Sequence, residues 1–261
     1  MQRALWTAAA GMAAQQTNLD VISNNLANVN TTGFKRSRAE FQDLLYQTIN
    51  APGTASSAST NLPVGVEIGL GTKTAATKRI FSQGDFKPTE NPLDLVVEGD
   101  GFFKVTRPDG TLAYTRDGSF TTNESGNIVN SLGYLLDPPV VIPSDAKAIT
   151  IGKDGTVSVR LADDTISQIG NIEIAHFINP SGLQALGDNL FVPTQSSGDP
   201  VLGTPGTEGL GTIGQGYLET SNVQVVTELV DMITAQRAYE LNSRAVRASD
   251  EMLQQIAQLV R

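Results

Sequence analysis

Four groups of residues in this chain have types and spacings that chemistry could use. Gly209, Gly211 and Gly214 satisfy G-x-G-x-x-G, the loop that lets a dinucleotide pyrophosphate approach a helix N-terminus. That site needs a strand before the loop and a helix opening from it. Here Pro200, Gly203, Pro205 and Gly206 precede it, and Gln215-Gly216-Tyr217 follow before any helical pattern. The run therefore reads as part of a flexible linker over 196–216. Gly69-Leu70-Gly71-Thr72-Lys73-Thr74 approaches the phosphate-loop pattern, but Thr72 separates the glycine from the lysine and the required spacing fails. His176, the only histidine, has the right group for a general base. It lies in the apolar run 172–178, and the chain has no G-x-S-x-G nucleophile. A structural hydrogen bond on a strand is its expected role. Asp163 and Asp164 are paired carboxylates, yet neighbours on a strand face opposite sides. Most other aspartates stand in Asp-Gly turns, which account for them. No catalytic, cofactor or metal site emerges, so neither an enzyme nor a bound cofactor is expected.

Composition narrows the classes further. The chain has 261 residues, 39% hydrophobic and 17% charged, with a formal net charge of −9. That acidity argues against a nucleic-acid partner, which needs a basic face to neutralise phosphates. Lys35, Arg36 and Arg38 form the one tight basic cluster and read as a solvated turn complementing a helix end. With no cysteine, disulfides, thiolate metal sites and cysteine nucleophiles are excluded together. No stretch approaches the roughly 18 apolar residues of a membrane span. The N-terminus has an apolar run over 4–14, but it includes Thr7 and Gly11, and the periodic pattern continues through to Val29. It reads as mature helix and not as a cleaved signal.

The elements at the two ends carry the strongest patterns. Leu5, Ala8, Met12, Gln15, Leu19, Ile22, Leu26 and Val29 recur at alternating spacings of three and four, a coiled-coil seam broken by Gln15. The helix is expected over 4–28, with Gly33 a left-handed stop. Near the other end, Val226, Val230, Ile233, Leu241, Ala245, Ala248, Met252, Ile256 and Leu259 follow a 3.6-residue period. Ser221 with Gln224 has capping-box spacing for that helix. Each helix has one apolar stripe that needs a partner. Residues 35–49 fit a short helix or an extended arm equally well. Residues 50–63, rich in Ser, Thr, Ala and Pro, read as a flexible insert.

From 64 to 216 the pattern is that of short strands. Runs at 93–97, 102–105, 112–115, 119–122, 156–161 and 172–178 are separated by tight-turn dipeptides such as Asp109-Gly110, Asp117-Gly118 and Asp154-Gly155. Residues 140–142, bracketed by prolines, fit a sheet edge. The expected fold class is α+β, with N- and C-terminal helices pairing as a coiled-coil-like unit beside a mainly-β central domain. The divisions are 1–34 plus 220–261 for the helical polymerisation unit, 35–75 for a connecting arm, and 76–215 for the β-rich domain.

The stretch Ser23-Asn24-Asn25-Leu26-Ala27-Asn28-Val29-Asn30-Thr31-Thr32-Gly33-Phe34-Lys35 resembles the N-terminal signature of the bacterial flagellar rod and hook proteins. Three further stretches are similar to that family, in its order. They are Asn91-Pro92-Leu93-Asp94-Leu95-Val96-Val97-Glu98-Gly99-Asp100-Gly101-Phe102-Phe103, Gln215-Gly216-Tyr217-Leu218-Glu219-Thr220-Ser221-Asn222-Val223, and Ala235-Gln236-Arg237-Ala238-Tyr239-Glu240. Length and an insert at about 46–63 make the chain most like the distal-rod members. The resemblance implies a straight helical homopolymer, with terminal helices in a core around an export channel and the β-domain outside. It implies export through the flagellar secretion apparatus without a cleaved signal, and a place in the basal-body rod outside the inner membrane. Partners would be further copies, the proximal rod and hook-junction proteins, and the surrounding envelope rings, with no nucleic acid or small-molecule substrate. The polymer contacts would fall on Leu5, Met12, Leu19, Ile22, Leu26 and Val29 of the first helix. On the last helix they would fall on Val226, Val230, Ile233, Leu241, Ala245, Met252, Ile256 and Leu259. The alternatives are a proximal rod subunit or, from a different class, a glycan-binding β-domain with a helical tether.

Overall fold

The computed structural model describes residues 2–51, 55–57, 60–61, 64–207 and 209–259. Helix α1 spans Gln2–Ala27 and helix α2 spans Val225–Leu259, with a mostly β chain between them. The described residues divide into two compact units: residues 1–26, 37–78 and 224–261 in one, and 27–36 with 79–223 in the other. Residues 27–36, grouped by sequence pattern with the helical ends, cluster with the β-rich unit.

In the helical unit, α1 and α2 pair antiparallel. A Cβ built on Gly11 would stand 2.8 Å from the Asn242 side-chain amide. Asn25 Nδ2 donates to Glu228 Oε2 at 3.2 Å. Both contacts join residues whose numbers sum to 253, so the two helices run in opposite directions in one register. An extended ribbon lies along α1. Strand β1 (Ser37–Asp43) pairs with β6 (Thr72–Arg79), beginning at Asn25, where Ser37 is bonded, and reaching Gly71, whose built Cβ lies 3.2 Å from that of Ala10. About fifteen helical residues and seven strand residues span similar lengths, near 23 Å. The arm at 35–49 is thus strand and not helix.

Beyond Leu44 the ribbon continues as β2 (Tyr46–Asn50) against β5 (Val66–Gly69), then β3 (Ala55–Ser57) against β4 (Thr60–Asn61). The loop expected over 50–63 therefore contains a paired turn of ribbon; positions 52–54, 58–59 and 62–63 of that insert lie outside the described residues. Composition misled because Ser, Thr and Ala are neutral to strands when partner backbone is present across a hairpin.

The β-rich unit is closed where it is entered and left. Strand β7 (Phe86–Pro88) pairs with Tyr217–Glu219, and β8 (Leu95–Glu98) pairs with Thr212–Gln215. The linker expected over 196–216 is corrected by these pairings: Ile213 sits fully buried on the 212–215 strand. A Cβ on Gly214 would come within 2.9 Å of Val96 Cγ1 and one on Gly211 within 2.5 Å of Glu98 O, so these two glycines of the G-x-G-x-x-G run serve close strand packing, while Gly209 takes a positive φ of 81° in a turn. Strands β9 (Phe102–Thr106) and β10 (Leu112–Thr115) centre the main antiparallel sheet, whose flanking strands include Phe120–Thr122, Ile174–His176 and Leu190–Val192. Phe102, Tyr114, Phe177 and Phe191 pack edge to face, with centroids 4.9–6.0 Å apart. Residues 140–142 form no strand; Val141 makes an isolated bridge to Asn127.

Asp163 and Asp164 sit in a turn and not on a strand. Asp163 Oδ1 accepts from the Thr165 hydroxyl at 2.7 Å, and Asp164 takes a positive φ of 62°. Asp109 repeats that geometry with Thr111. Bonds from the threonine two residues on hold the carboxyls of Asp109, Asp154 and Asp163 below the usual aspartate range. A depressed folded-state pKa gives stability that is present above the unfolded value, about 3.9, and lost as pH falls through the folded one. The triple variant Asp109→Asn, Asp154→Asn, Asp163→Asn keeps acceptors in these turns but cannot titrate. Its stability is expected to fall less than the parent's between about pH 5 and pH 3; equal acid limbs in urea titrations would contradict this.

Candidate interaction surface

The α1–α2 seam is built from small and polar residues. On α2, Glu228 and Asn242 meet α1, and Met232, Ala235, Val246 and Ser249 share their face at spacings of three, four and seven. Glu228, Ala235 and Ser249 are buried there, and Met232, Asn242 and Val246 half-buried. Small side chains let two helices approach closely without a large apolar filling. A reading by hydrophobic periodicity passes over such a seam, because Glu228, Asn242 and Ser249 are polar and Ala235 is small; the heptad spacing was the available signal.

The larger stripe of α2 faces elsewhere. Val226 is 75% exposed, Ile233 51% and Leu241 64%, and Val230, Ala245, Met252 and Ile256 are exposed as well. The Leu259 side chain lies outside the described residues. None of these predicted contact residues is buried within the subunit. The α1 set behaves differently. Ile22 is buried and Leu5, Met12, Leu19, Leu26 and Val29 are half-buried. The outward residues of α1 include Arg3, Ala9, Ala13, Gln16 and Asp20, together with Trp6 at 75% exposure. The two stripes read from sequence are thus not brought together. A second apolar surface runs along the distal ribbon, where Leu45, Tyr46, Ile49, Val64 and Val66 are all exposed.

The signature residues do local architectural work, each in its own unit. In the helical unit, Asn25 is buried and acts as a piece of backbone. Its Nδ2 donates to Ser37 O at 2.8 Å, and its Oδ1 accepts from Ser37 N at 2.9 Å. With the Glu228 contact, one side chain joins α1, β1 and α2. Ser23 and Asn24 are exposed and Leu26 half-buried. Asn25→Ala strands both polar groups of Ser37 and removes one hydrogen bond to Glu228. A loss of about 1–3 kcal/mol is expected, read from urea unfolding by helix circular dichroism; an unchanged midpoint would contradict the role.

In the β-rich unit, Ala27 is exposed and Phe34 half-buried, and Thr31 Oγ1 donates to Asn28 Oδ1 at 3.1 Å. Gly33 takes φ +68°, and a Cβ there would lie 2.7 Å from Asp117 N, so only glycine fits. Its N–H donates to Glu219 O at 2.8 Å. Lys35 follows, and here the sequence expectation of a solvated cation is overturned. The Lys35 side chain is fully buried and paired with Glu219; it also donates to Ser82 O at 2.8 Å. Glu219 Oε1 accepts from Gly84 N at 2.8 Å, and its Oε2 lies 3.6 Å from Arg116 Nη1. Arg116 in turn donates to Val97 O and Gly99 O and lies over the Phe102 ring. Burial lowers the Lys35 pKa, with Glu219 opposing. The partners stand 184 residues apart, a pairing no local pattern announces. The capping box expected from Ser221 and Gln224 also does not form: α2 begins at Val225, and Gln224 O accepts from Glu228 N at 3.0 Å.

His176 sits half-buried on its strand opposite Val201. Among the described residues no cluster of His, Cys, Asp and Glu could hold a metal, and no helix is long and apolar enough to cross a membrane.

Comparison with known proteins gives the family. Residues 5–35 match the family model described as flagella basal body rod protein, residues 96–159 the flagellar hook protein FlgE/F/G D1 domain, and residues 215–259 the flagellar basal body rod FlgEFG protein C-terminal region. The chain is 53% identical over 258 residues to the flagellar basal-body rod protein FlgG of Borreliella burgdorferi, covering 97% of each chain. It is 51% identical to the protein of that name from Caulobacter vibrioides, covering 98% of this chain and 99% of the other. The Bacillus subtilis protein of that name is 40% identical over the full length of both. The chain belongs to the flagellar basal-body rod and hook protein family.

Proposed function

We propose that this chain is a structural subunit of the flagellar distal rod, polymerising into a straight helical tube that transmits torque and encloses the export channel. The observation that carries the reading is the α2 stripe: a run of large apolar side chains left open while the opposite face of the same helix is occupied by α1. A monomer that pairs its helices through the small, polar seam keeps its apolar stripe for other copies. A contact between different surfaces on successive copies does not close and grows into a filament. The terminal helices form the core of the tube. The subunit works mechanically and not as an enzyme. Its neighbours along the axis are the proximal rod and hook-junction proteins, its surroundings the envelope rings, and its place the basal body outside the inner membrane.

The ribbon supplies stiffness in this account. Two-stranded hairpins are marginal alone, and the exposed side chains of β2 and β5 gain a second layer only from a neighbouring copy. Purified subunit is expected to sediment as straight tubes above a threshold concentration, and electron micrographs of a chain lacking residues 46–63 to show bent or curved tubes. Straight tubes from the shortened chain would remove the stiffening role; a parent chain that stays monomeric at high concentration would remove the polymer reading itself.

A further inference from the structure

The register of the helix pair leaves α2 longer than its partner. With residue numbers summing to 253, the first residue of α1, Gln2, stands opposite Glu251. Residues 252–259 of α2 run on past it, an overhang of about 12 Å. Its character changes where the partner ends. Along the paired length the seam is Glu228, Ala235, Asn242 and Ser249, each seven residues from the last; the next such position is Ile256. Ile256 and Met252 are exposed in the subunit. At the opposite end of the same helix, Val225, Val226 and Leu229 form a second open apolar patch. An isolated helical end of eight residues has little stability of its own, so the overhang needs packing from outside.

We propose that the α2 overhang of one copy seats on the first turn of α2 in the next copy along the axis, with Met252 and Ile256 against Val225, Val226 and Leu229. This rests on the polymer reading and specifies its axial contact. The two patches lie at different ends of one helix, so a copy uses both at once and each addition exposes the next site. The contact is head to tail and cannot close on itself. It also separates the axial role of the helix ends from the lateral role of the Val230, Ile233 and Leu241 stretch between them.

The chain has no cysteine, which makes the test clean. In Val226→Cys with Ile256→Cys, the two thiols of one chain lie about 45 Å apart on one helix and cannot bridge, since a disulfide needs Cβ atoms roughly 4 Å apart. Mild oxidation of the assembled full-length double variant is expected to give a ladder of linked multimers under denaturing, non-reducing conditions, and each single variant to give none. Tubes of the double variant that dissolve to unlinked chains would overturn the axial contact, as would Ile256→Cys alone linking equally well. Either result leaves the polymer reading standing; absence of tubes from the unmodified chain would end both. A chain ended after Glu251 gives a second reading. It keeps the helix pair, and its threshold for assembly is expected to rise about tenfold or more; an unchanged threshold would contradict the contact.

Discussion

Glu219→Ala is expected to cost the β-rich unit about 3–5 kcal/mol, a large part of the stability of a domain this size. The carboxylate is buried against two cations, Lys35 and Arg116, both nearly inaccessible to water. Truncating it leaves two buried charges facing each other without the carboxylate that pairs them, with only the Asp100 charge acting on both, and strands Gly84 N–H. The cost comes from those abandoned groups and not from any large intrinsic value of the ion pair, because desolvation offsets most of the Coulomb gain. The double variant Lys35→Met with Glu219→Leu is therefore expected to recover a substantial part of the loss. A double-mutant cycle on urea unfolding, followed by the near-ultraviolet signal of the packed aromatics, measures the coupling. Additive single effects would show that the residues do not act as a unit.

Leu241→Asp is expected to have the larger effect on function and almost none on the subunit. In the free chain the side chain is exposed and faces no helix partner, so replacing it with a carboxylate leaves α1–α2 pairing and the unfolding midpoint within about 0.5 kcal/mol of the parent. In a polymer that buries the stripe, the same change places an unpaired charge in an apolar contact, which costs several kcal/mol at each interface. Because every copy carries the change, the loss recurs along the filament and assembly fails at concentrations where the parent is fully polymerised. Asp substitution at the seam residue Ala235 should behave in the opposite way, unfolding the helix pair first. Sedimentation and thermal unfolding of the two variants, taken together, distinguish a surface for partners from a core position. A Leu241→Asp chain that polymerises normally contradicts the proposed role of the stripe.

What the sequence made legible follows from which signals are local. The two long helices announced themselves through periods of three and four residues, and the β9–β10 hairpin through its turn dipeptide between β-prone runs. The α2 stripe was also readable as a pattern, since seven of its residues are large and apolar. Two kinds of feature were not. Interactions over long separations, such as Lys35 with Glu219 or Asn25 with Glu228, leave no local trace, and a lysine after a helix end resembles any solvated cation until its partner is seen. Seams of small residues, such as Ala235 and Ser249 on α2 and Gly11 on α1, carry a spacing but no hydrophobicity. For this reason the a/d pattern of α1 reads as an outward contact although Ile22 is buried inside the subunit. The glycine-rich run 209–214 shows the reverse error, in which Gly211 and Gly214, closely packed against the 95–98 strand and the turn after it, looked like part of a linker.

The most direct test of the central claim is thiol reactivity at single cysteines placed on the two faces of α2. Val230→Cys, Ile233→Cys and Leu241→Cys sample the open stripe, and Ala235→Cys samples the seam against α1. Maleimide labelling would be followed in dilute subunit and in assembled tubes. The stripe cysteines are expected to react quickly in the dilute chain and to be protected in the tube, while the seam cysteine is protected in both. Stripe cysteines that label equally fast in both states would mean that the polymer is held by some other surface, and the account of this helix would be wrong.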